Sequence, residues 1–241
     1  VCTGSQHAPH CILRRNSEYY SEDPFIGGHI ASLECEGVAS RGMYVFVKHY
    51  AINDQEDHRG DREGQYSIAT FLNEQAAREI YLKPFEMSVK DADCHAVMSS
   101  FNYIGNRWAG GCSELLQNVL RGEWGFLGFV ETDYFGVYGY MTADQAVRNG
   151  GDLMLCTTGN DYNKVTVLTN SSKQALRTSA KNILYTVVNS RAYEAENLNP
   201  GMAKWKVIMI GADVVAALLI VGLEYTAIKN YKKRKEEEEE V

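Results

Sequence analysis

H-A-V-M-S-S-F-N, residues 95–102, is the stretch on which the fold turns. His95–Met98 reads as a short buried strand, and it gives way at once to polar Ser99, Ser100 and Asn102. The same pattern recurs on both sides. Tyr44–Val47 runs into Lys48 and His49, Gly128–Glu131 runs into Thr132 and Asp133, and Asp152–Leu155 is a fourth such run. Between them lie helical patterns: Ile68 to Lys90, broken or kinked at Pro84, then Ser113 to Arg121 with Ser113 as its N-cap, then Thr142 to Asn149. A long helix from Ser172 to Arg191 closes the body. Strands alternating with helices predict βαβ units and a parallel sheet. The polar residues bunch at the carboxyl end of each run, which is the catalytic face of a (β/α) barrel. Lys48, His49, Asn102 and Asp133 are thereby expected at one mouth. Any one of them alone has a plainer explanation, since an Asp after a strand is commonly a helix cap.

Composition narrows the classes. With 45% hydrophobic and 23% charged residues the chain is neither collagen-like nor wholly disordered. A net charge of −7 argues against a nucleic-acid surface, which needs clustered Lys and Arg. The six cysteines, at positions 2, 11, 35, 94, 112 and 156, form no C-x-x-C pair and read as scattered buried thiols. Dinucleotide, Walker, H-E-x-x-H and G-x-S-x-G motifs are absent. His58 with Asp57 and Asp61 reads as a polar loop, not a metal site.

The carboxyl-terminal region sets an address. Val207 to Ile228 is dominated by Val, Ile, Leu and Ala, long enough at 1.5 Å per residue to cross a bilayer. Trp205 precedes it, and Lys229, Lys232, Lys233, Arg234 and Lys235 follow, which places the tail in the cytoplasm by the positive-inside rule. Asp213 and Glu224 interrupt the span, and a buried or amphipathic terminal helix is the alternative. The expected division is a body over 1–204, a transmembrane helix over 205–228 and a charged cytoplasmic tail over 229–241, with the body outside the cytoplasm of a single-pass cell-membrane protein.

The strand ends also carry a recognisable series of words. R-N-S-E-Y-Y-S-E-D-P spans 15–24, K-H-Y spans 48–50, and N-D-Q-E spans 53–56 with Arg59 beyond it. R-E-I-Y-L-K-P-F-E (78–86), M-S-S-F-N (98–102), R-G-E-W-G-F-L-G-F (121–129), T-D-Y (132–134) and G-D-L-M-L (151–155) follow in order. The series resembles the barrel domain of glycoside hydrolase family 3, the β-glucosidase and β-xylosidase family, over residues 11 to 190. That resemblance implies a retaining glycosidase acting on a β-glucoside or oligosaccharide, without a cofactor. Asp133 corresponds to the nucleophile, Lys48, His49 and Arg15 to donors for sugar hydroxyls, and Met98, Phe101 and Tyr134 to pocket walls. Lys48 and Arg15 would favour the charged form of Asp133.

Departures from the pattern shape the remaining expectations. Arg14 and Ser17 stand where the family shows Gly and an aromatic residue. Only about four later strand–helix units of a (β/α)8 TIM-type barrel are present, followed by the membrane helix. The general acid/base is not identifiable. A chain opening on Val1 is expected to be the C-terminal part of a longer enzyme, with the acid/base upstream. The alternatives are a non-catalytic carbohydrate-binding surface protein and an inactive fragment.

Overall fold

The computed structural model of the chain describes residues 18–56, 59, 67–134, 139–156, 163–194 and 201–239. It divides into two compact units, Val1–Glu194 and Ala195–Val241.

Three strands of the first unit, β1 (Phe46–Tyr50), β3 (Ala96–Ser99) and β6 (Phe129–Thr132), pair in parallel in the order β1-β3-β6. Val47, Val97 and Val130 stand level across them, in register Val47↔Val97 and Val97↔Val130, and each is essentially inaccessible. They belong to one core with Phe85, Leu116, Leu120 and Trp124 from the helical segments. Tyr50 closes it, its ring edge-on to Phe85 at 5.1 Å and Trp124 at 5.8 Å. By the two-residue period of a strand, Phe46, Met98 and Glu131 project to the opposite side. The sheet and its helices form the α/β arrangement expected of a partial barrel.

The fourth run does not become a strand. Only Leu153 bridges to Glu131, because the carboxylate of Asp152 itself accepts the Val130 amide at 2.8 Å. That carboxylate also meets Arg121 at 2.7 Å, and its second oxygen accepts from Asn182 at 2.9 Å. Arg121 donates further to the carbonyls of Gly128 and Gly150. Gly128 itself is required where β6 begins, since a Cβ there would collide with the His95 carbonyl.

Several helix boundaries depart from expectation. The pattern over 68–90 resolves into β2 (Ala69–Thr70), a short α2 (Glu74–Ala76), a π-helical turn over Ala77–Tyr81 and α3 (Lys83–Lys90) with Pro84 in its first turn. β2 pairs with β4 (Tyr103–Ile104), which turns back on β5 (Arg107–Trp108). Ser113 does not cap the next segment, a π-helix over Glu114–Glu123. Its backbone is already helical and its hydroxyl donates to the Glu114 carboxylate instead. Thr142 caps α4 (Ala143–Arg148), accepting from the Gln145 amide. α5 (Asn170–Val188) opens earlier than expected, on a reciprocal cap between Thr169 and Ser172. α1 (Pro24–Ala39) is not foreseen at all. Asp23 caps it by accepting the amides of Phe25 and Ile26, and it packs on α3, most closely at Gly28, where a Cβ would meet Pro84 and Met87.

Among its described residues the second unit contains one helix, Lys204–Glu239, which continues through the charged residues after Ile228 without a break. Its Lys204–Lys235 portion is long and apolar enough to cross a membrane.

Asp152→Ala is expected to leave Arg121 buried without its carboxylate and to lower stability by about 3–5 kcal/mol. Urea denaturation of the detergent-solubilised chain measures this, and a change below about 1 kcal/mol would remove Asp152 from its structural role.

Candidate active site

β1 carries Lys48 and His49 within the strand itself, beyond the point where the apolar run stops. Its register with β3 shifts between Val47 and Tyr50, so these two residues sit in an irregularity of the ladder. Two non-proline peptide bonds in this segment, Lys48–His49 and Tyr50–Ala51, are cis. His49 is buried, and its Nε2 lies 3.2 Å from Oδ2 of Asp133, just past β6. Two strands separated by β3 thus meet through their side chains. Asp133 is 8% exposed, its amide donates to the Ser99 carbonyl at 3.1 Å, and its Oδ1 accepts the Tyr134 amide at 2.6 Å. Lys48 Nζ lies 3.4 Å from a Glu18 carboxylate oxygen.

Beyond β1 the chain turns sharply. Ile52 takes φ 60°, a left-handed conformation that costs a β-branched residue on the order of 1–3 kcal/mol. The surrounding polar network holds it. Asn102, fully buried, donates to the carbonyls of Gln55 at 2.9 Å and Ile52 at 3.4 Å. Arg59 donates to Oδ1 of Asn53 at 2.9 Å, Oδ1 of Asn102 at 3.3 Å and Oε1 of Glu56 at 3.3 Å. Its guanidinium stands 4.7 Å over the Phe101 ring.

The expected site residues therefore fall into distinct groups. His49 and Asp133 are in contact, and Lys48 precedes His49 on β1. Met98 lies on β3 in register with Glu131, and Phe101 lies under Arg59. Tyr134 follows Asp133 and is 45% exposed. Asn102 is spent on holding the loop after β1 and does not open into the mouth. Arg15, like Asp57, His58 and Asp61, lies outside the described residues. Among the described residues no group of three or more His, Cys, Asp or Glu side chains is placed to hold a metal. A cavity of about 320 Å³ between α4, Asp152–Met154 and α5 contains none of these residues.

Three participants escape the sequence reading. Arg59 ends a motif word yet shows its role only through contacts from Asn53, Glu56, Phe101 and Asn102. Glu131 precedes Asp133 by two residues, about 6.6 Å along the same strand face. Burial, then the neighbouring Asp133 charge, raises its pKa. Asp54 lines a small cleft with Tyr19, Lys48, His49 and Tyr81. Burial pushes its carboxyl up to about 7, its own amide opposing the rise and Glu56 adding to it.

A parallel sheet packed with helices, with a carboxylate held by an imidazole at its carboxyl edge, defines the α/β class. Residues 7–184 match the glycosyl hydrolase family 3 N-terminal domain, and the chain belongs to that family. It is 40% identical over 144 residues to beta-glucosidase B of Emericella nidulans, covering 60% of this chain and 16% of that protein. It is 39% identical over 126 residues to a beta-glucosidase of Ruminococcus albus, covering 52% and 13%. The solved beta-glucosidase 3B from Thermotoga neapolitana in complex with glucose superposes with a TM-score of 0.67 at 31% identity, covering 81% of this chain and 27% of that one. The beta-glucosidase from Kluyveromyces marxianus in complex with glucose gives 0.66 at 29% identity, covering 78% and 23%. The chain thus spans less than a fifth of these two curated relatives.

Asp54 binds its proton more tightly folded than unfolded, so stability is full below about pH 4 and falls as pH rises through about 7. Asp54→Asn is expected to shrink the difference in urea midpoint between about pH 4.5 and about pH 7.5. An undiminished difference would assign that slope to other groups.

Proposed function

We propose that the chain carries the nucleophile-bearing part of a membrane-anchored retaining glycosidase that releases terminal β-D-glucosyl residues. The observation that carries this reading is the 3.2 Å contact between His49 on β1 and Asp133 just past β6, across the intervening β3. Family membership supports it, as do relatives named beta-glucosidase.

Asp133 is the nucleophile in this reading. Its carboxylate attacks the anomeric carbon, the bond to the leaving oxygen breaks, and a covalent glycosyl ester forms that water later hydrolyses. His49 orients the carboxylate through Oδ2, while the Tyr134 amide holds Oδ1. Lys48, His49 and Arg15 donate to sugar hydroxyls, and Met98, Phe101 and Tyr134 wall the subsite. Retention needs a second, protonated carboxyl about 5–5.5 Å from the nucleophile, beside the leaving oxygen. Glu131 lies within β6, two residues before Asp133 and deeper in the sheet, which suits it poorly to that place. The acid/base is assigned to a segment upstream of Val1.

In the full-length protein, Asp133→Asn is expected to abolish covalent labelling by a 2-deoxy-2-fluoroglucoside and to reduce aryl β-glucoside hydrolysis on the order of 10³-fold or more. Unchanged labelling would overturn the nucleophile assignment. Sugar binding without turnover, even with azide as external nucleophile, would assign the chain to a non-catalytic carbohydrate-binding role.

The anchor is part of the same proposal. The apolar portion of the terminal helix crosses the cell membrane, with Lys229 and Lys232–Lys235 on the cytoplasmic side and the barrel portion outside. The chain is expected to remain in the membrane pellet after alkaline carbonate washing and to be released by detergent. Release by carbonate alone would exclude a spanning helix.

A further inference from the structure

Charge along the terminal helix is sorted, not mixed. Beyond Ile228 come five basic residues, Lys229, Lys232, Lys233, Arg234 and Lys235, and then five glutamates, 236–240. The two blocks cancel, so net charge gives no sign of either. One unbroken helix runs through the basic block and on to Glu239. All five basic residues are exposed. At 1.5 Å per residue, positions 229–235 lie about 1.5 to about 10.5 Å beyond Ile228, and positions 236–239 about 12 to about 16.5 Å beyond it. The headgroup layer on one side of a bilayer is about 5–7 Å deep. With the apolar portion in the membrane, the basic block therefore stands within that layer or well inside a Debye length of about 8 Å from it. The acidic block begins outside the layer. Tyr231, 71% exposed, falls among the cations at headgroup depth, where aromatic rings anchor membrane helices.

The acidic block is the obvious rival for these cations. Each of positions 232–235 precedes a glutamate by four residues, a spacing at which opposite charges attract along a helix. Lys before Glu is the weaker of the two orders, and such an exposed pair shifts an equilibrium only about twofold. One basic residue beside an anionic lipid surface is worth about fivefold. Lys229 has no acidic residue three or four positions away. Because the helix does not break, the acidic block cannot fold back over the basic one. We propose that Lys229, Lys232, Lys233, Arg234 and Lys235 form a binding surface for anionic phospholipid headgroups of the cytoplasmic leaflet. This rests on the spanning helix of the proposed function and adds a lipid preference to it. The five side chains donate to headgroup phosphate and carboxylate oxygens, for which phosphatidylserine supplies net negative charge and phosphatidylcholine does not. The acidic block keeps the tail neutral at long range, so the attraction acts only at headgroup distance.

The test places the full chain in phosphatidylcholine vesicles with a trace of spin-labelled phosphatidylserine or spin-labelled phosphatidylcholine. Electron paramagnetic resonance separates lipid held at the protein from free lipid. At about 0.1 M salt the held fraction should favour phosphatidylserine about 3–5-fold, a preference that falls close to one at about 1 M. Replacing the five basic residues together (Lys229→Gln, Lys232→Gln, Lys233→Gln, Arg234→Gln and Lys235→Gln) should remove the preference and leave the held fraction intact, since Gln keeps the helix. Lys204→Gln with Lys206→Gln, at the other end of the helix, should leave both unchanged. A ratio near one in the unaltered chain, or a preference that survives the fivefold replacement, would overturn the proposal while the spanning helix stands. Loss of the preference to inorganic phosphate at constant ionic strength would assign the surface to a free anion and also overturn it. Absence of any held lipid would show that the helix does not cross, and both readings would fall.

Discussion

Much of the geometry around Asp133 depends on one other buried carboxylate. Asp152 accepts the Val130 amide, the Arg121 guanidinium and the Asn182 amide, so one side chain joins β6, the π-helix before it and α5. Hydrogen bonds to charged groups are worth more than neutral ones, and a buried carboxylate that lost them would be strongly unfavourable. The arrangement ends the ladder at Leu153 and holds β6 where its last residue delivers Asp133. Position in the site is thus inherited from a structural ion pair.

The opposite side of the site is held by backbone and amide chemistry instead. Ile52 occupies a conformation it would avoid in an open chain, and Asn102 supplies donors to the carbonyls on either side of the turn. Arg59 satisfies Asn53, Glu56 and Asn102 at once, with its flat face on Phe101. The result is a loop start after β1 tied to Asn102 and Arg59 by side-chain hydrogen bonds at Ile52, Asn53, Gln55 and Glu56. A polar network of this kind stabilises only when every member is satisfied, so its residues act as a unit.

The sequence discloses the parallel sheet because Val47, Val97 and Val130 sit in short apolar runs, each followed by polar residues at the same relative place. Asp133, Lys48 and His49 are legible for the same reason. α1 is not. Its buried face is built from Gly27, Gly28, Ala31, Ser32 and Cys35, while Phe25, Ile26 and Leu33 face outward, so its apolar periodicity points the wrong way. Ser113 misleads because a hydroxyl beside a carboxylate has a nearer acceptor than a helix end. Arg59, Asp54 and Glu131 are invisible in a different way. Their roles come from neighbours brought in by the fold, and a charged residue in a polar word gives no sign of burial.

One contact on the far side of the sheet bears on how the site is reached. Phe46 and Phe129 meet edge-to-face at 5.4 Å, on the two strands that flank Ala96. Small between two large rings, Ala96 lets them close over the amino-terminal end of the sheet's inner face. From Phe129 to Asp133 the strand rises about 13 Å. The rings therefore cover the amino-terminal end of that face, and the carboxylate stands toward its opposite end.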